Sequence, residues 1–103
     1  MEMMKVSSNS KPSKVAGALT SLLRENSKVQ IQIIGAASLN QAMKAIAIAR
    51  GYVASSGKEI YCIPSFYDLT IDDQVITSLR LNIEMHEKGF LFWWKIGIMN
   101  IGF

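Results

Sequence analysis

From Val75 to His86 the chain alternates without a break, with Val75, Thr77, Leu79, Leu81, Ile83 and Met85 on one side and Ile76, Ser78, Arg80, Asn82, Glu84 and His86 on the other. A period of two residues belongs to a strand with one face buried, so an all-helical bundle is excluded. The apolar face of such a strand needs a cover, and the first half of the chain supplies it. Pro12 suits the first turn of a helix, where its missing N–H costs nothing, and Val15, Ala18, Leu19, Leu22 and Leu23 recur at helical spacing until about Asn26. Ser38 with Gln41 three residues on has the form of a capping box, opening a second helix through Leu39, Ala42, Met43, Ile46 and Ala49 toward Tyr52.

Strands precede both helices. Met3 to Ser7 is a short apolar run ending in the turn formers Ser8-Asn9-Ser10-Lys11-Pro12, and Val29, Ile31 and Ile33 alternate with Gln30 and Gln32 before Ile34 and Gly35. After Ser55-Ser56-Gly57, a third strand runs from Glu59 to Ile71. Pro64 interrupts it and marks a bulge or an edge, and Asp72-Asp73-Gln74 turns the chain into the alternating segment. The order is β-α-β-α-β-β. A right-handed crossover makes the first two strands parallel, giving an α+β two-layer sandwich with a mixed four-stranded sheet and both helices on one face. In the second helix Ala45, Ala47 and Ile48 fall off the main stripe, which reads either as alanines filling space or as a contact with a second chain.

With 103 residues there is material for one core, assigned to residues 1–88, followed by an apolar extension at 89–103. That extension carries Phe90, Phe92, Trp93, Trp94 and Phe103. It is too short for a membrane span, and packing on its own sheet or on a partner, contact with a bilayer surface, or a poorly selected extension all remain open. The N-terminus carries Glu2 and lacks the layout of a secretory signal, which points to the cytoplasm. The lone Cys62 closes no intramolecular disulfide, and the lone His86 has no second histidine or cysteine at ligand spacing, so neither a metal nor another cofactor is expected. No nucleophile, base and orienting acid stand in a catalytic arrangement, so no enzyme and no small-molecule substrate is inferred. His86 reads as solvent-facing and Asp72-Asp73 as a turn.

A net charge of +3 and an isoelectric point near 9.2 permit an anionic partner. Lys11 and Lys14 flank Pro12 at the entry to the first helix, and Gly35-Ala36-Ala37-Ser38 leads into the second. Two helix N-termini with free N–H groups therefore meet at one edge of the sheet, where Asn40, Gln41 and Lys44 would add to a site for a sugar-phosphate backbone. Arg50 is a further candidate, although an arginine late in a helix also suits the C-terminal dipole.

Two stretches carry a family likeness: Ser13-Lys14-Val15-Ala16-Gly17-Ala18-Leu19, and Gly35 followed by Leu39-Asn40-Gln41-Ala42-Met43-Lys44-Ala45-Ile46-Ala47-Ile48-Ala49-Arg50-Gly51-Tyr52-Val53-Ala54. Together with Cys62-Ile63-Pro64-Ser65-Phe66 they resemble the stage V sporulation protein S family, up to about Met85. That family resembles Alba proteins and, more remotely, the C-terminal domain of bacterial translation initiation factor 3. The resemblance implies an Alba-like fold and a homodimer that binds DNA or RNA as a regulator or architectural factor, with a part in spore development. In Alba proteins a lysine-bearing loop between the first strand and first helix contacts the duplex, and Lys11 and Lys14 occupy that loop here. Alba proteins also reach along the groove with a basic hairpin, whereas this one ends in Asp72-Asp73, two carboxylates that repel phosphates. The other reading is a protein-interaction or scaffolding module joined through the second helix and the extension.

Overall fold

The computed structural model describes residues 2–89, so all of the aromatic extension except Gly89 lies outside the described residues. The elements are β1 (Glu2–Ser7), α1 (Pro12–Asn26), β2 (Lys28–Ile34), α2 (Ser38–Ala54), β3 (Lys58–Ile71) and β4 (Gln74–Glu87). They form one sheet in the order β1-β2-β4-β3. β1 and β2 are parallel, with Ser7 beside Ile34, while β2 with β4 and β4 with β3 are antiparallel. This is the expected β-α-β-α-β-β arrangement.

The core lies between the helices and one face of the sheet. Val6, Val29, Ile31, Ile33, Leu81 and Ile83 meet Val15, Ala16, Leu19 and Leu23 of α1 and Ala42, Ala45, Ile46, Ala49 and Val53 of α2. Burying such side chains stabilises by roughly 1.5–3 kcal/mol for each large one. Thr20 is buried as well, and its hydroxyl donates to Ala16 O at 2.8 Å, which satisfies the group inside the helix.

Three local expectations change. The buried stripe of α2 runs through Ala42, Ala45, Ile46, Ala49 and Val53, leaving Met43 exposed. α1 and α2 pack on each other as well as on the sheet, and small alanines suit that close contact better than methionine does. On α1 the buried set includes Ala16 and Thr20, and Ala18 is exposed. Pro64 does not interrupt β3, which pairs with β4 in one register from Lys58↔Glu87 to Ile71↔Gln74. The other half of that expectation holds: β3 is the edge strand, where a proline that donates no N–H is tolerated.

The pairing of β2 with β4 stops at Gln32↔Arg80, yet β3 and β4 continue together from Phe66↔Leu79 to the closing pair Ile71↔Gln74. Residues 66–79 thus form a two-stranded arm about 20 Å long at ~3.4 Å per residue. Asp72 and Asp73 make its tip at φ 50° and 63°, the left-handed pair that a two-residue hairpin turn demands. Ser78 Oγ donates to Ile33 O at 2.9 Å and fastens the base of the arm to the end of β2.

Candidate functional site

Because β1 and β2 are parallel neighbours ending at Ser7 and Ile34, the turns into α1 and α2 leave from the same end of the sheet. In the first turn, Ser7 N–H donates to Ser10 Oγ at 3.0 Å and Ser10 N–H returns to Ser7 O at 3.1 Å. Lys11 takes the N-cap position in extended conformation, its carbonyl accepts from Val15 N–H at 3.0 Å, and Pro12 opens the helix. In the second turn Gly35 sits at φ 86°, a conformation that favours glycine, and Ala37 is the N-cap.

The capping box expected from Ser38 and Gln41 does not form. Ser38 is the first helical residue, fully buried, and its hydroxyl donates back to Gly35 O. Gln41 instead crosses to the other turn, where its Nε2 donates to Ser10 O at 2.9 Å. One side chain therefore ties the two turns together. No side chain caps either helix and neither first turn holds an acidic residue, so both positive helix ends stay uncompensated.

Lys11 and Lys14 stand exposed in the first turn and at the start of α1, and Asn40 is exposed in the first turn of α2. Lys44, also exposed, lies three residues beyond Gln41 and so one turn along on the same side of the helix. Arg50 does not join them. It is in the last part of α2, and its Nε and Nη2 donate to Glu59 Oε1 at 2.8 Å and Oε2 at 3.0 Å. Glu59 pairs with His86, and β2 begins beside Glu84, so this clasp is at the opposite end of the sheet.

The far end holds ion pairs that the rim lacks, although Arg24 and Lys88 at that end also enter none among the described residues. At the far end Lys28 meets Glu84 at 3.3 Å, Arg50 meets Glu59, and Lys58 meets Glu87. Among the described residues Lys11, Lys14 and Lys44 enter no ion pair. A cation left unpaired beside an uncapped helix end keeps its field for an external anion.

Sequence reasoning missed Arg80, on the helix-free face beside Gln32. Its guanidinium carbon is 4.6 Å from the Tyr67 ring centroid, and its Nε is shielded without a hydrogen-bond partner. The signal available was a lone cation inside the alternating segment. His86 is half-buried on that same face, its Nε2 3.8 Å from Glu84 Oε2, rather than fully solvent-facing. Among the described residues no helix is long and apolar enough to cross a membrane.

On the helix side, Leu39, Met43, Cys62, Pro64, Leu79 and Leu81 line an open apolar groove between α2 and the β3–β4 pair. Burial in these surroundings pushes the Cys62 thiol up from its ordinary pKa, which keeps it protonated and unreactive near neutrality.

Comparison with known proteins agrees with this architecture. A family model described as stage V sporulation protein S (SpoVS) matches residues 2–86. Among solved structures, Alba from Thermoplasma volcanium superposes with a TM-score of 0.58 at 12% identity, over 84% of this chain and 100% of that one. At that identity the likeness is one of fold.

Proposed function

The chain belongs to the stage V sporulation protein S family and has an Alba-like fold, and from that premise we propose that it binds DNA or RNA through the lysine rim at the ends of β1 and β2. The observation that carries this reading is the convergence of open charge: Lys11, Lys14 and Lys44 enter no ion pair among the described residues and lie by two uncapped helix ends, whereas Lys28, Arg50 and Lys58 at the far end are held by carboxylates. Lysines and backbone N–H groups hold phosphates without reading bases, so the contact is sequence-tolerant and suits an architectural or regulatory factor. The binder is a cytoplasmic, non-enzymatic protein that needs no cofactor and works as a homodimer.

Binding to duplex DNA, single-stranded DNA and RNA across a salt series tests it. Affinity should fall with salt, and Lys11→Ala with Lys14→Ala should flatten the log-log slope by about 2, at roughly 0.9 per phosphate on duplex DNA. Arg50→Ala, which breaks only the distant clasp, should leave the slope as it was. An unchanged slope in the double lysine variant sinks the proposal.

A second reading has its own observation. The α2 groove, with Met43 46% exposed beside it, is an apolar surface suited to joining two chains. A protein that assembles through Met43 and ignores all three nucleic acids would favour scaffolding.

A further inference from the structure

The arm of residues 66–79 is anchored to the body at its base by Ser78 and Leu79 and pairs with no third strand, yet it exposes Phe66 at 79%, Val75 at 68%, Ile71 at 51% and Ile76 at 45%. A two-stranded ribbon is marginal in water by itself, and large apolar side chains on both of its faces ask for a partner. Its charge says what kind. Every aspartate of the chain, Asp68, Asp72 and Asp73, lies in this segment, which contains no lysine or arginine. Asp68 is engaged within the arm, since Thr77 Oγ1 donates to its Oδ1 at 2.9 Å. Asp72 and Asp73 remain exposed at the tip and enter no ion pair among the described residues.

We infer that the arm docks on a second copy of this chain, its aspartate tip against that copy's Lys11, Lys14 and Lys44. The inference rests on the reading of the rim as an open anion site. Direction makes the contact reciprocal. Arm and rim leave the same end of the sheet, so a tip reaches another copy's rim only when the two copies meet end to end. That orientation also carries the second tip to the first rim, and it lays the two apolar ribbons beside each other. The contact is therefore isologous and closes at two. Nucleic acid and the partner's tip then compete for the same lysines, so loading with a polyanion releases the arm contact.

A charge exchange tests this in the full chain. Asp72→Lys with Asp73→Lys sets lysines against lysines, and Lys11→Glu with Lys14→Glu sets aspartates against glutamates. Sedimentation at low salt should show each variant alone associating at least about tenfold more weakly than the unsubstituted chain, because like charges then face each other. Mixing the two in equal amounts makes both contacts attractive again, and association should recover. Unchanged association in the aspartate variant, or no recovery in the mixture, overturns the inference. Should the rim variant fail to fold by circular dichroism, Asp72→Asn with Asp73→Asn must still weaken association. Oligonucleotide binding keeps the two readings apart. Recovery in the mixture while the rim variant still binds oligonucleotide discards the nucleic-acid reading alone. No recovery while that variant has lost oligonucleotide binding discards the arm contact alone.

Discussion

Glu59 accepts from both Arg50 nitrogens and from the Ile60 backbone N–H at 3.0 Å. The Arg50 hydrogen bonds, followed by that backbone donor, hold its carboxyl below the ordinary range. A folded pKa lower than the unfolded value of about 4.3 means that the group stabilises the fold above that value. The contribution is lost as pH falls through the folded pKa. Denaturation midpoints followed from neutral pH to below pH 4 should therefore decline, and Glu59→Gln should lack that part of the decline. The site residues were legible to different depths. Lys11 and Lys14 could be placed because Pro12 fixes where the helix starts. Arg50 could not, because its partner lies across the turn at Ser55-Ser56-Gly57, whose path is not written in residue type. Gln41 shows the same limit: three residues after Ser38 it has the spacing of a cap, but the left-handed turn at Gly35 brings Ser10 O within its reach instead.

At the scale of elements, periodicity located all six because each contains a run long enough to show its period. It misplaced the buried face of α2 because Met43 outranks Ala45 in apolarity, whereas packing against α1 selects for small size. Ala16, Ala42, Ala45 and Ala49 are all fully buried, which fits helices whose backbones approach closely. Ala45→Leu should then overpack the interface and cost about 1–3 kcal/mol, read as a lower urea midpoint with an unchanged slope. The same change on an open helix surface would be nearly neutral. The pause expected at Pro64 failed for a comparable reason: sequence shows that a donor is missing but not that β3 has no neighbour on its outer side to receive it.

Across the whole molecule, charge and order vary along one axis. Ion-paired Lys28, Arg50 and Lys58 lie at one end of the sheet, Lys11, Lys14 and Lys44 without ion pairs at the other, and an acidic apolar ribbon extends beyond them. Overall composition hid this, because a net charge of +3 averages a negative arm with a more positive body. Stability should vary along the same axis. Backbone amides near Ile31, Leu81 and Ile83 lie in a closed core, while those from Thr70 to Val75 belong to exposed residues. Hydrogen exchange should thus be fast in the arm and slowest in the centre of β2 and β4, with arm protection rising in concentrated protein if copies engage.

The tie from Gln41 to Ser10 has a mechanical consequence. Two loops that leave paired strands are bridged again beyond the sheet, as the jaws of a calliper are held by a screw. If the rim holds a polyanion, as proposed, one that touches both turns must match a spacing set in advance by that hydrogen bond.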